Sequence, residues 1–557
     1  MYLSSKENTM TKVLPARRFH RTPRPLMGDA YTVNGFIFES KDATDASEYY
    51  LTFRKFPKAH EPHYTGNDRR IVFAGLQPLL DILFYDPITH QEIDDTIACL
   101  KGRKATATGF EDFEFPEAMW RKVVDECEGY LPLEIEAMPE GSVVYPGEPV
   151  IRMRATKPGF GPLVPWFEST LLHVWAPTER LTAARHFYKW AYNLIRKTEP
   201  TTVDDATCSL FARLMIHDFG DRAATCGQES ELVGKVHNYV FYGSDTFRGA
   251  FQNHMNGAPA PFGSSVKALA HRIVQGFDKE FDCYGYMFDT AGQNEFLSMV
   301  GDCYDYWYAL ENKLIPLALQ ARNERSGKVV VARPDSGDSA DMVLGTLQRA
   351  QAAGLMAGHT CADGKERFVS TSLRFIVGNG ESYGTAMEIT AKALTAGFVP
   401  WRCGIFGIGG HLRNNINRDH LSTKFALCAV GEDNRPVIKL SEERGKRTLP
   451  KVRVLRDQQA LETGQTLVLP WERPECPDAL VPYYNGSNEA PFGPGFTDDF
   501  LTIENRVMVG FDKVPLTAGE TSLALDEEVE SLIAKYRHAE PPRADLGELW
   551  NEHQLKR

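Results

Sequence analysis

The stretch KVVVARPDSGDSADMVLGTLQRAQAAG, Lys328 to Gly354, most constrains what this chain can fold into. Val329, Val330, Val331 and Ala332 form an unbroken apolar run, the pattern of a strand buried on both faces. Asp338 or Ser339 is placed to cap a helix. Val343, Leu347 and Ala350 recur along it at i, i+4 and i+7, and Gly354 suits its end. The unit recurs. RFIVGNG (Arg374 to Gly380) is strand then turn, with Ser382 as the cap of a helix carrying Ala386, Ile389, Ala393 and Leu394 and closed by Gly397. GIFGIGG (Gly404 to Gly410) opens a third unit, with a further helix expected after it. Strand, loop and helix in series predict an α/β fold with a parallel sheet and crossover helices. Near-continuous units favour a (β/α) barrel, although an open doubly wound sheet has a similar pattern.

At about 150 residues per domain three to four units fit; the 557 residues equally suit a barrel with one accessory domain. Hydrophobic residues at 43% and charged residues at 24% are ordinary for a soluble chain. A net charge of −12 argues against a nucleic-acid partner, whose binding rests on a basic footprint. No apolar run is long enough to span a bilayer. The basic, polar N-terminus lacks the apolar core of a signal peptide and reads as a loose arm. The ten cysteines are scattered without a C-x-x-C pair. That fits reduced thiols in a cytoplasmic setting, neither a disulfide frame nor a zinc site. LEIEAMPEGSVVYPGEPVIRMRAT (Leu133 to Thr156) alternates like a β-meander, a helical run follows from Trp166 to Ile195, and the chain turns Pro-rich beyond about Gly431.

In parallel α/β folds ligands bind at the carboxyl ends of strands. Arg333, Asp335 and Asp338 fall there, although a solvated turn with a helix cap would use the same residues. VGNGES and FGIGGHLRNNINRDHLSTK place glycines just after strands. Glycines let backbone N–H groups approach a ligand, and an anion could sit on the helix expected after Gly410. Arg418 and Lys424 add positive charge. Close helix–strand packing is the plainer reason for such glycines. MIHDFGDR and FYGSDTFRGAF pair acids with arginines and aromatics, and SMVGDCYDYW supplies Asp302 and Asp305. Carboxylates, arginines, glycines and aromatics together suit a phosphorylated sugar and a flat heterocycle, with a divalent metal between acids and phosphates.

HDFGDR, GSDT, GDCYD, RPDSG, GNG and FGIGG…RD, in this order, resemble the nicotinate/nicotinamide phosphoribosyltransferase family. The likeness spans roughly Ala30 to Arg456 and is densest from His217 to Lys424. It implies an irregular (β/α) barrel, residues 201–430, plus a mixed α+β domain built from both chain ends, 1–200 with 431–557. It implies a homodimer with shared active sites. The implied reaction joins nicotinamide to 5-phosphoribosyl 1-pyrophosphate, giving nicotinamide mononucleotide and pyrophosphate, with Mg2+ required and ATP stimulating turnover through a phosphorylated histidine. A nicotinate enzyme and a non-catalytic nucleotide sensor are the alternatives on the same scaffold.

By the same resemblance, Phe219 stacks on the pyridine ring and Tyr31 approaches from the partner subunit. Arg222, Arg333 and Ser298 complete the nicotinamide site, and Asp245 accepts from the carboxamide. A carboxylate there repels nicotinate's own, which favours the amide. Asp335 holds ribose hydroxyls and Asp302 the magnesium–pyrophosphate side, both as metal ligands. Arg54, Gly378, Asn379, Gly409, Gly410, Arg418 and Lys424 line the phosphate and ribose path. His271 is nearest the family's histidine, without the glutamate that precedes it there. Asn379 stands where the family has an acid.

Overall fold

The strand–loop–helix units fold as their periodicity requires. The computed structural model describes residues 20–57, 62–64, 66, 68–414, 416–439, 448–455, 466–470, 478–513, 523–525, 530–531 and 534. Seven parallel strands form one sheet in the order Lys267–Ala268, Phe296–Val300, Val329–Arg333, Leu373–Val377, Gly404–Ile408, Ile216–Asp218, Gly243–Ser244. Gly243, on one edge, bridges Ser264, just before the strand on the other edge, so the sheet curls round on itself. Asp338 caps the helix Ser339–Ala352, accepting from Asp341 N at 3.0 Å. Ser382 caps Tyr383–Thr395 in a reciprocal box with Thr385. Gly354 (φ +73°) and Gly397 (φ +89°) turn the chain out of these helices, as expected.

The third unit departs from expectation. After Gly404–Ile408 come only a 3-10 turn, Gly410–Leu412, and a four-residue helix, Arg418–Leu421. The polar sequence between them has no apolar stripe to bury, so no long helix is stabilised. The helix N-terminus expected to receive an anion at Gly410 is therefore not built. The run from Trp166 is likewise broken into short turns before one long helix, Trp175–Thr198.

Register sorts the parallel strands into two faces. Leu297, Met299, Val330, Ala332, Phe375, Phe406 and Ile408 point outward and are buried under the helices. Ser298 pairs with Val331, Val331 with Arg374, Ile376 with Ile405, Gly407 with His217, and His217 with Gly243. Paired residues of parallel strands share a face, so this second set lines the inside of the curl.

A second sheet is antiparallel, in the order Arg435–Pro436, Thr423–Val430, Ser47–Phe53, Pro149–Ala155, Leu133–Ala137, Val481–Tyr484. Both ends of the chain contribute. The strand Thr423–Val430, read from sequence as part of the barrel segment, pairs with Ser47–Phe53 and joins this sheet instead. Within the expected meander, Leu133–Ala137 pairs with Pro149–Ala155, while Val143–Val144 leaves to pair with Ile71–Val72. No helix among the described residues is long and apolar enough to cross a membrane. The N-terminal arm to residue 19, Cys476 and most of the tail beyond Asp526 lie outside the described residues.

Candidate active site

Three sequence-selected residues meet at the carboxyl ends of adjacent parallel strands. Asp302 follows Phe296–Val300 and Asp335 follows Val329–Arg333. His271 begins a one-turn helix just after Lys267–Ala268. Its Nε2 lies 3.0 Å from Asp302 Oδ1 and 3.9 Å from Asp335 Oδ2. The Asp302 side chain is 9% exposed and that of His271 39%, so the imidazole is open to solvent on a floor of acid. Arg333 donates through Nη2 to Asp335 Oδ1 at 3.0 Å. Its buried Nε has no hydrogen-bond partner, which leaves a donor for a ligand. Asp305 is used locally, accepting from Tyr308 N at 3.0 Å as a helix cap.

Phe219 follows the Ile216–Asp218 strand, and its N–H donates to Ile408 O at 2.9 Å. A Cβ at Gly407 would fall 2.1 Å from the Phe219 ring, and one at Gly378 3.1 Å from it. A Cβ at Gly409 would lie 3.3 Å from the Phe219 carbonyl oxygen. Gly378, expected along the phosphate path, thus makes room for the ring, and Gly409, expected there too, lies against the Phe219 backbone. Gly410 is open, meeting only Asn414 Nδ2 at 3.6 Å.

Beneath Phe219, Arg413 Nη2 donates to Asp218 Oδ2 at 2.8 Å, with both side chains fully buried. Gly220 N donates to the other oxygen, Asp218 Oδ1, at 2.7 Å. Breaking a buried pair leaves a charge uncompensated, so this pair fixes the turn that presents Phe219. Asp245 N donates to Asp218 O at 2.9 Å, and its Oδ1 accepts from Ser265 Oγ. Burial pushes the Asp245 carboxyl up, Ser265 and Arg333 pull it down, and Asp218 adds to the rise. Ser298 is buried on the inner face, two residues below the strand end. Arg222 is exposed on the turn Asp221–Ala223.

Sequence reasoning missed Ser265, Arg413 and His217. Burial drives the His217 imidazole down to about 4, with His237 reinforcing and Asp218 opposing. Its buried Nδ1 has no hydrogen-bond partner, and its ring lies inside the curl. HDFGDR marked the segment, and alternation puts His217 and Phe219 on one face, but only strand register tells that this face is the inner one.

Arg54, Arg418, Lys424 and Tyr31 gather elsewhere, around the antiparallel sheet. Arg54 donates to Ser422 O from Nε and to Ser422 Oγ from Nη2, each at 3.0 Å. Lys424 stands opposite Thr52 in the sheet. Burial pushes its amine down to about 8, with Lys439 and Arg54 adding to the fall and Glu168 opposing. Glu168 also feels Asp29 and Arg418. Arg418 is half exposed and reaches Asp419 Oδ1 at 3.0 Å. Tyr31, 66% exposed, lies on the short helix Ala30–Gly35, whose preceding Asp29 accepts from Ser169 Oγ at 2.7 Å. Asn379 is exposed beside the mouth, its Nδ2 donating to Gly337 O at 3.4 Å.

Residues 214–462 match the model of the nicotinate phosphoribosyltransferase (NAPRTase) family. A nicotinamide phosphoribosyltransferase of Xanthomonas campestris pv. campestris is 29% identical over 402 residues, 72% of this chain and 79% of that protein. One of Mycoplasma pneumoniae is 26% identical over 285 residues, 49% of this chain and 58% of that protein. Human nicotinic acid phosphoribosyltransferase superposes with a TM-score of 0.55 at 16% identity, covering 91% of this chain and 99% of that one. Nicotinate-nucleotide pyrophosphorylase from Pyrococcus furiosus gives 0.51 at 16% identity, covering 90% and 99%. At this identity the two structures speak for the fold.

Proposed function

We propose that this chain, whose residues 214–462 belong to the nicotinate phosphoribosyltransferase (NAPRTase) family, is a nicotinamide phosphoribosyltransferase. It joins nicotinamide to 5-phosphoribosyl 1-pyrophosphate and releases nicotinamide mononucleotide and pyrophosphate, a pentosyl transfer of NAD salvage. The observation that carries the choice of base is Asp245. Ser265 occupies its Oδ1, which leaves Oδ2 to accept from a carboxamide NH2. Against a nicotinate carboxylate the same oxygen is repulsive.

The chemistry follows from the mouth. The pyridine ring lies on Phe219, with Ser298, Arg222 and the free Nε of Arg333 as polar contacts. Asp335 accepts from ribose hydroxyls. The ring nitrogen attacks the ribose C1 carbon as the C1–O bond to pyrophosphate breaks. Charge at C1 turns positive in that step, and the Asp302 and Asp335 carboxylates stabilise it. Holding ring and sugar in line supplies much of the rate. Two carboxylates at the mouth suit magnesium, which takes one or two acids and completes its shell with substrate phosphates and water. Asp302 and Asp335 would hold the ion, which when bound neutralises departing pyrophosphate. His271, oriented by Asp302, is the residue through which ATP stimulates turnover.

A second copy of the chain completes the site. The mouth is rich in acid, whereas Arg54, Arg418 and Lys424 are basic and stand on or beside the other sheet. Tyr31 at 66% and Phe38 at 80% exposure leave aromatic surface for a partner. A head-to-tail homodimer brings the basic group to the pyrophosphate.

The test is pyrophosphate release from phosphoribosyl pyrophosphate and magnesium, with nicotinamide or nicotinate, each with and without ATP. Release with nicotinamide, and an ATP boost that vanishes in His271→Ala, is expected. Release with nicotinate alone overturns the choice of base. No release from folded protein that still binds the sugar phosphate points to a sensor.

A further inference from the structure

Glu381 is a buried carboxylate that the reaction above does not use. It is 1% exposed, at the turn between Leu373–Val377 and the helix Tyr383–Thr395. Its Oε1 accepts from Ser339 Oγ, and its Oε2 accepts from Thr385 Oγ1 at 2.6 Å. Both donors are neutral hydroxyls, and among the described residues no cation pairs with it. Burying an unpaired carboxylate is expensive, and an apolar side chain would fill the space at less cost. The position of its two donors gives a reason to keep it. Ser339 follows the loop that carries Asp335, and Thr385 follows the loop that carries Asn379. One side chain therefore spans the two loops. The Asn379 Nδ2 bond to Gly337 O at 3.4 Å is a second, weaker tie between them. Each loop also turns through a left-handed glycine, Gly337 at φ +88° and Gly380 at φ +76°. Glycine leaves the backbone free to move, so the separation of the loops needs an outside constraint.

We propose that Glu381 is a positioning residue for the sugar-phosphate half of the reaction. It holds the Asp335 loop and the Asn379 loop at one separation, so that both reach the same ribose. The inference rests on the reading of the site as a phosphoribosyltransferase. It assigns Glu381 to the sugar-phosphate half, because Phe219 and Asp245 themselves follow other strands, and the two halves touch at Gly378 and Arg333.

The test uses the full chain as wild type, Glu381→Ala, Glu381→Gln, Ser339→Ala and the Ser339→Ala/Glu381→Ala double variant. KM is measured for each substrate separately, calorimetry follows phosphoribosyl pyrophosphate alone, and melting is recorded alongside. Glu381→Ala is expected to raise KM and Kd for phosphoribosyl pyrophosphate about tenfold, with KM for nicotinamide within about twofold. Glu381→Gln recovers to within about threefold, since an amide accepts from one hydroxyl and donates to the other. Ser339→Ala costs about threefold and adds nothing in the Glu381→Ala background. The proposal is overturned if phosphoribosyl pyrophosphate binds Glu381→Ala and Ser339→Ala as it binds wild type. It is equally overturned if both KM values rise together as melting falls. Should Glu381→Ala not fold, Ser339→Ala, which removes one hydroxyl, decides alone. A wild type that binds the sugar phosphate without releasing pyrophosphate tells against the enzyme reading, and the calorimetric comparison still judges the clamp.

Discussion

Gly407 lies so close under Phe219 that a Cβ there would come within 2.1 Å of the ring. The neighbour is a rigid aromatic, so the ring must shift. Gly407→Ala is expected to lose about 1–3 kcal/mol of stability, the usual cost of overpacking. It also moves the surface on which the pyridine ring would stack. KM for nicotinamide should rise about tenfold, while calorimetric binding of phosphoribosyl pyrophosphate changes less than about twofold. An unchanged nicotinamide KM in a folded variant would remove Phe219 from the ring site.

With Asp245 as the proposed selector, base selection should depend on pH. Burial raises its carboxyl above the usual aspartate range, so it is neutralised at a higher pH than an ordinary aspartate. Above its pKa the charge favours the amide and repels nicotinate. As pH falls through the pKa that repulsion fades, so the ratio of kcat/KM for nicotinamide to that for nicotinate should shrink on the acid side. In Asp245→Asn the ratio should be low and flat across the same pH series. A wild-type ratio that stays constant with pH, or an Asn variant that keeps the preference, argues against Asp245 as the selector.

The strand–loop–helix units were legible because apolar runs, caps and terminal glycines all act over a few residues. Asp338, Ser382, Gly354 and Gly397 do what their positions announce. His271, Asp302 and Asp335 could be selected one by one, and the fold brings them together. What stayed hidden depends on contacts between distant segments. Gly378 and Gly409 read as a phosphate cradle in one dimension, and only the fold shows that they also lie against Phe219, more than a hundred residues away. Arg413 was overlooked beside Arg418 because only the folded chain carries it to Asp218. Thr423–Val430 falls inside the 201–430 barrel segment, but Ser47–Phe53 supplies its pairing edge. Glu381 looks like a solvated turn residue until its two hydroxyl donors are seen.

If the basic group of one subunit serves the mouth of the other, two inactive variants should rescue each other. Asp335→Asn removes a mouth carboxylate, and Lys424→Ala removes a charge from the other sheet. Mixed, dissociated and reassociated in equal amounts, half of the dimers pair one variant with the other. Each such dimer contains one site with both intact parts, so activity should return to about a quarter of wild type. Mixing without recovery, under conditions where subunit exchange is demonstrated by mass, would place the whole site within one chain.

Lys424 is expected to set an alkaline limit on binding of phosphoribosyl pyrophosphate. Burial, Lys439 and Arg54 lower its amine to about 8, and Glu168 only partly offsets them. A lysine with a lowered pKa is charged below that value and neutral above it. Any attraction it exerts on a phosphate should therefore be present at neutral pH and fade as pH rises through about 8. A bound phosphate favours the charged amine and moves the fade to higher pH in the complex. The Kd for phosphoribosyl pyrophosphate should accordingly rise between neutral and alkaline pH in wild type. In Lys424→Arg the guanidinium stays charged throughout, so the rise should flatten. In Lys424→Ala affinity should be low at neutral pH and vary little upward from there. If wild type and the arginine variant share one pH profile, the alkaline loss belongs to another group, and Lys424 does not face the phosphate.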